Sequence, residues 1–301
     1  MPQCKIYDGA RRLTLPYRSP FDWTAMLAFF AHRATPGVEM VSGELYRRTV
    51  CLEGQHGVLE IGPGGRSDCL ALTLHAVRAA SSAGIVQRMR ALFDLDAPVG
   101  EIAEVLRRDS ILSEHIRRHP GVRVPGAWDG FELTVRAILG QQVSVKAATT
   151  LAGRIAVRYG EPLRIAGGSE PLSRIFPTAE RLRRAKLSGL GLVRSRAETI
   201  RRVAIAVAAG DLSFDAAQDS RRLCAALCEI RGIGDWTAQY VSMRVLKDPD
   251  AFPSTDLGLL KALMHPERTT PAVMRRRAEA WRPWRAYAAM LMWGSLTASG
   301  G

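Results

Sequence analysis

Residues 227–244, LCEIRGIGDWTAQYVSMR, decide how this 301-residue chain is read. A helical pattern ends near Glu229, the chain turns through Arg231-Gly232-Ile233-Gly234, and a second helix starts at once. The two glycines permit a tight turn and let the backbone approach a ligand closely. The second helix directs its free N–H groups and the positive end of its dipole outward, which makes a ready phosphate site. Ile233, between the glycines, is expected to plug into the core and hold the turn rigid. Gly-x-Gly before a helix is a weak signal taken alone, so its surroundings must carry the reading.

Downstream, 251–258 read AFPSTDLG, a loop that holds Pro253 and ends on Asp256, 22 residues after Gly234. By residue type Asp256 is an N-cap for a helix at 257–264. Trp236 and Tyr240 stand four apart and so share a face of the helix after the turn. The tract 280–293 adds Trp281, Trp284, Tyr287 and Trp293.

Charge supplies a second line. Lys+Arg 42 against Asp+Glu 29 gives a net charge of +13 and a pI near 10.2. Arg accounts for 37 of those cations, and its planar fork pairs with phosphate in bidentate fashion. Such a balance suits a polyanionic partner, although an Arg-rich composition also occurs without one. No run approaches the ~20 apolar residues of a membrane span. The opening residues lack a basic segment followed by an apolar one, so a cytoplasmic protein is expected. The five cysteines are an odd number and scattered, and no C-x-x-C pair occurs. Neither a zinc site nor a disulfide framework is suggested. Cys224 and Cys228 read as small apolar residues of a helix.

The fold expected is a small α+β domain followed by a mostly helical part. Strand patterns fall at 13–15, 44–52, 58–61 and 69–75, with Gly-rich turns at 54–57 and 62–65 and an amphipathic helix at 22–33. A helix with a serine cap follows at 82–93. Beyond it, helices are expected at 98–107, 110–117, 128–140, 143–159, 178–185, 194–209, 216–229, 234–246, 256–264 and 271–295. The domain division is 1–95, 96–215 and 216–301.

Residues 227–244 resemble the helix-hairpin-helix of the DNA glycosylase superfamily (HhH-GPD), whose hairpin precedes a helix carrying Thr-Ala, here Thr237-Ala238. That family places a Gly/Pro-rich loop and a catalytic Asp about twenty residues later, a position that Asp256 fills. Within the superfamily the chain is similar to the AlkA-type 3-methyladenine glycosylases over nearly its whole length. Phe21-Asp22-Trp23 with Met26-Leu27, Arg123-Val124-Pro125-Gly126, the stretch 131–144 and the tract 280–293 carry that similarity. It implies a TBP-like antiparallel N-terminal domain with helices, and a monofunctional enzyme acting on damaged bases in double-stranded DNA. Bifunctional relatives carry a Schiff-base lysine two residues after the second hairpin glycine, where this chain has Trp236. The iron–sulfur loop of that branch is missing too, since no Cys follows Cys228.

Several roles follow from the resemblance alone. Trp293 matches the base-stacking tryptophan of the last helix, and Trp236 with Tyr240 would complete an aromatic base pocket. Electron-rich rings attract the cationic ring of an N-alkylated purine, at roughly 0.5–2 kcal/mol per ring. The same rings could be core packing, the reading preferred for Trp281 and Trp284. Gln142 stands where the family carries a DNA wedge, often Leu, with Gln141 and Val143 as fallbacks. Arg231, Gly232, Ile233 and Gly234 would meet the DNA backbone, and the carbonyls of Cys228, Ile230 and Gly232 would hold a monovalent cation. No other cofactor and no membrane partner is expected, and the protein should act as a monomer on the bacterial nucleoid. Arg231, Lys261 and Arg244 are candidate phosphate contacts. Two alternatives stay open: a glycosylase for deaminated or etheno purines, and a non-enzymatic DNA-binding protein with the same hairpin.

Overall fold

Alternation of apolar and polar residues builds the N-terminal sheet. Strands β1 (Arg11–Pro16), β2 (Glu39–Ser42), β3 (Leu45–Leu52), β4 (Gln55–Pro63) and β5 (Cys69–His75) lie in the order β1-β5-β4-β3-β2, every neighbour antiparallel. In β5, Leu70, Leu72 and Leu74 are buried, the every-second-residue period of a half-buried strand. Leu72 stands opposite Leu13 on one side and Ile61 on the other. Helices α1 (Trp23–Arg33) and α2 (Ser82–Phe93) cover that face with Met26, Leu27, Phe30, Ile85, Met89 and Leu92. This computed structural model describes residues 10–77, 82–165, 171–215, 217–263 and 270–298. The serine cap expected for α2 falls outside the described side chains.

The helical part runs through α3 (Val99–Leu106), α4 (Ser110–Arg118), α5 (Gly130–Leu139), α6 (Val145–Tyr159), the short pair β6 (Glu161–Pro162) and β7 (Arg174–Ile175), and α7 (Ala179–Leu182). It continues with α8 (Arg194–Ala209), α9 (Ser220–Glu229), α10 (Asp235–Val245), α11 (Leu257–Ala262), α12 (Pro271–Ala278) and α13 (Arg285–Ala298). The start signals are side-chain caps. Asp109, Asp129, Ser144 and Asp219 each accept from first-turn N–H groups of α4, α5, α6 and α9, groups that have no partner within the helix. None of the helices among the described residues is long and apolar enough to cross a membrane.

Two expectations need correction. The single helix at 271–295 is broken: α12 ends, a 3-10 turn spans Glu279–Trp281, and the chain is extended at Arg282 before α13. Pro283 causes the break, since it has no N–H to donate and forces the preceding residue out of the helical region. Strand β2 went unseen because it turns a charged residue inward, Glu39, which is 5% exposed.

The helical part holds two cores. One is built from 131–241 with Val38, and the other joins α3 and α4 to Met243 and residues of the loop and helices that follow it. The N-terminal domain is locked to both. Arg48 meets Glu132 at 2.8 Å and Glu39 at 3.6 Å, while Arg136 meets Glu39 at 2.7 Å and Glu132 at 3.0 Å. Burial opposes the charge on Glu39, but Arg136 and Arg48 outweigh it and hold its carboxyl below the ordinary range. On the other side, buried Arg123 donates to the carbonyls of Asp94 and Ala97, each at 3.1 Å, and of Pro20 at 3.0 Å.

Removing one partner of a buried pair leaves an uncompensated charge, at about 3–5 kcal/mol. Glu132→Gln should therefore lower the unfolding free energy read from urea melts by an amount of that order. Arg108→Ala, which breaks an exposed pair with Glu104, should shift it by less than about 1 kcal/mol. Equal shifts for the two variants would contradict this account of the interface.

Candidate active site

Three helices bring side chains to one carboxylate. Asp256 caps α11, with Oδ1 accepting the Leu259 N–H at 2.9 Å. Trp236 of α10 donates its indole N–H to Oδ2 at 2.7 Å, and Trp293 of α13 donates to Oδ1 at 2.9 Å. Capping and site membership, opposed in the sequence, belong to the same side chain. The preceding loop is fixed as well: the Phe252 N–H donates to Gln239 Oε1 at 3.0 Å, and the Asp256 N–H to the Pro253 carbonyl at 2.9 Å.

A cavity of about 350 Å³ opens beside this carboxylate, lined by Trp236, Tyr240, Asp256 and Trp293 together. That volume suits a small organic ring system. The Trp236 and Tyr240 rings are parallel to within 6° at 5.4 Å between centroids, and Trp293 meets Tyr240 edge-on at 6.2 Å. Leu133 and Ala137 of α5 and Val145 and Ala152 of α6 form an apolar wall. Burial raises the Tyr240 phenol, but Arg244, Arg33 and Arg136 outweigh it and hold the phenol below its ordinary value. Trp281, fully buried, and Trp284 belong to the core that α13 shares with α4.

The hairpin sits beside the cavity because α10 carries both. Gly232 has φ +100°, and a Cβ there would lie 2.0 Å from Thr199 Oγ1, so a glycine is needed on both counts. Ile233 is 6% exposed in the core, as expected. Gly234 caps α10 without a side chain, and a Cβ on it would meet nothing within 4 Å. The first turn of α10 is therefore open to a ligand. Arg231 and Lys261 are exposed. Arg244 is not available to phosphate: it is 3% exposed and donates to the carbonyls of Pro125 at 2.8 Å and Gly126 at 2.7 Å and to the Tyr240 hydroxyl at 2.8 Å.

The turn between α5 and α6 is pinned to the hairpin. Gln141 Nε2 donates to the Gly232 carbonyl at 3.1 Å and to Thr237 Oγ1 at 3.0 Å, which removes Gln141 as a fallback wedge. Gln142, next in the chain, is exposed with φ +54°, a strained conformation for a residue with a Cβ. Val143 lines the cavity rim. The Ile230 carbonyl accepts the Ile233 N–H at 2.9 Å. Carbonyl oxygens carry two lone pairs, so neither this bond nor that at Gly232 uses up the acceptor. Among the described residues no group of three or more His, Cys, Asp or Glu gathers as a metal site. The sequence reading missed Arg33 and Arg136, which also line the cavity. No local motif marks either, because α1 and α5 meet only through tertiary packing.

Comparison with known proteins gives the family. Residues 12–129 match the AlkA N-terminal domain, and residues 135–286 match the HhH-GPD superfamily base excision DNA repair protein. The chain is 37% identical over 291 residues to the probable bifunctional transcriptional activator/DNA repair enzyme AlkA of Mycobacterium tuberculosis. That match covers 96% of this chain and 58% of the relative, so the chain spans less than two thirds of that protein's length. Identity to the DNA-3-methyladenine glycosylase 2 of Escherichia coli is 36% over 283 residues, covering 93% of this chain and 96% of that protein. A solved 3-methyladenine DNA-glycosylase from Archaeoglobus fulgidus shares the fold, with a TM-score of 0.80 over 94% of this chain and 97% of its own, at 23% identity. The chain belongs to the HhH-GPD superfamily of base excision DNA repair proteins and carries an AlkA-type N-terminal domain.

Gly232→Ala combines a positive φ with a steric clash and should destabilise the fold by about 1–3 kcal/mol. Gly234→Ala, with open space around the new methyl group, should cost less than about 1 kcal/mol. Thermal melts of both variants check this, and a larger loss for Gly234→Ala would contradict it.

Proposed function

We propose that the chain is a monofunctional DNA glycosylase that flips alkylated bases, such as 3-methyladenine and 7-methylguanine, out of duplex DNA and hydrolyses their glycosidic bond. The observation that carries this reading is Asp256, held by two indole N–H groups inside an aromatic cavity, one helix turn from an open hairpin. Breaking the bond between sugar and base builds an oxocarbenium-like cation. A fixed anion beside that carbon stabilises the cation and can orient or deprotonate the attacking water. Trp236, Tyr240 and Trp293 offer faces and edges on which a flipped ring is read by shape and charge. The position of the Schiff-base lysine holds Trp236, and no lysine lines the cavity among the described residues, so strand cleavage is not expected. The name of the Escherichia coli relative, DNA-3-methyladenine glycosylase 2, supports the substrate class.

The hairpin binds the DNA backbone in this reading. N–H groups at the start of α10 and the exposed Arg231 meet phosphate, while the carbonyls of Cys228, Ile230 and Gly232 hold a monovalent cation that shares it. Gln142 fills the stack vacated by the flipped base. The protein acts as a monomer on chromosomal DNA in the cytoplasm and uses no other cofactor.

Asp256→Asn is the decisive variant. Asn caps a helix as well as Asp does, so the fold should persist, whereas the charge is lost. Release of methylated bases from alkylated DNA, read by mass spectrometry, should fall by about 10²–10³-fold or more. Equal release would remove Asp256 from the mechanism, and strand breaks without alkali would contradict the monofunctional reading. Arg231→Ala should weaken DNA binding and reduce the slope of log affinity against log salt by about one. An unchanged slope would take Arg231 off the phosphate.

A further inference from the structure

Arg33 is the one described residue lining the cavity that comes from the N-terminal domain. It is the last residue of α1, and its surroundings differ from those of the two other guanidinium groups there. Arg136 is neutralised by Glu39 and Glu132. Arg244 spends its donors on two backbone carbonyls and the Tyr240 hydroxyl. Arg33 has no carboxylate partner among the described residues. It lies over the Phe29 ring at 4.0 Å, makes one long bond of 3.5 Å to the Phe29 carbonyl, and reaches the Tyr240 phenol. A guanidinium carries five N–H donors, more than the Phe29 carbonyl and the Tyr240 phenol take up at this half-buried side chain. An occupant of the cavity that brings an acceptor would satisfy them.

The group is also held in place. The Phe29 ring is in contact with the guanidinium groups of both Arg33 and Arg244, the latter at 4.9 Å. Arg136 fixes the end of α1 by donating to the Arg33 carbonyl at 2.6 Å. The side chain therefore meets the cavity from a rigid helix end rather than from a free loop.

We propose that Arg33 is a specificity-determining residue, which donates hydrogen bonds to a carbonyl or ring-nitrogen acceptor of the flipped base and opposes bases that carry positive charge. The inference rests on the reading of the cavity as the base pocket. Two fields then act on an occupant. Aromatic faces attract a cationic ring, whereas the Arg33 charge repels it. Hypoxanthine is neutral and offers a 6-carbonyl to the guanidinium. 3-Methyladenine in DNA is cationic and has an amino group at that place, so it gains from the rings alone. The N-terminal domain would in this way take part in choosing the base as well as in building the fold.

The test compares kcat/KM for release of hypoxanthine from a defined duplex and of 3-methyladenine from methylated DNA at one salt concentration. Arg33→Met keeps length and removes both charge and donors. It should lower the hypoxanthine value about 10-fold and leave 3-methyladenine release unchanged or raised. Arg33→Lys keeps the charge without the planar fork, so 3-methyladenine release should stay at the wild-type level while hypoxanthine release stays low. A ratio within twofold of wild type in Arg33→Met, or an equal fall for both bases, would overturn the role of Arg33. Thermal melts accompany each variant, and Arg33→Leu replaces the Met variant if that one does not fold. If folded wild-type protein released neither base, the glycosylase reading would fail, and the inference with it. Release by wild type with an unaltered ratio in the variants would sink the inference alone.

Discussion

The site depends on one shared acceptor. The Asp256 carboxylate receives three N–H donors, from the Leu259 backbone and from the indoles of Trp236 and Trp293. Those donors sit on α10, α11 and α13, so the bonds that orient the carboxylate also fix the angles of three helices around it. Ionised acceptors make the stronger hydrogen bonds, and a carboxylate engaged at both oxygens has little freedom to rotate. The consequence is preorganisation: the charge points into the cavity before any ligand arrives, with no reorganisation left for the reacting state.

The hairpin gains its meaning from the same helix. Gly234 caps α10 and Trp236 lies two residues further on. At 1.5 Å rise per residue, the open N–H groups and the indole that holds Asp256 lie within one turn. An anion on the helix end and a ring in the cavity are thus placed by one rigid element. The α5–α6 turn is tied to that element through Gln141, which puts exposed, left-handed Gln142 on the same side of the molecule.

Much of this was legible in the sequence, and for identifiable reasons. Hairpin, cap and the period-two strands are local features, written in residues a few positions apart. Asp256 and the three rings were found because their spacing matches a known pattern, even though the bonds among them span 20 and 37 residues. What stayed hidden was inverted or distant. Strand β2 buries Glu39, contrary to the apolar-inward rule, because two arginines from other elements compensate it. The joining of α3 and α4 with the C-terminal helices has no local mark. Arg33 follows a helix stretch of Phe and Ala, and nothing near it announces a place in a cavity formed by residues a hundred positions away. The break at Pro283 was readable and was overlooked in favour of the apolar run around it.

The Glu39–Arg48–Glu132–Arg136 cluster shows how the domain interface and the site are joined. Burying four charges is a poor way to gain stability, since well-packed apolar side chains often do as well. The arrangement does fix a geometry. Arg136 cannot move without breaking two ion pairs, and it holds the end of α1 through the Arg33 carbonyl. α1 in turn carries Phe29, whose ring is in contact with the guanidinium groups of Arg33 and Arg244. Arg244 bonds Tyr240, and Tyr240 stacks on Trp236, which donates to Asp256. A continuous series of contacts therefore runs from the buried charges of the interface to the carboxylate. Loosening the N-terminal domain would disturb the cavity before it disturbed the hairpin, whose supports, Thr199 and Gln141, lie entirely in the helical part. Under the proposed function, affinity for the DNA backbone and selection of the base would rest on separable sets of contacts in one fold.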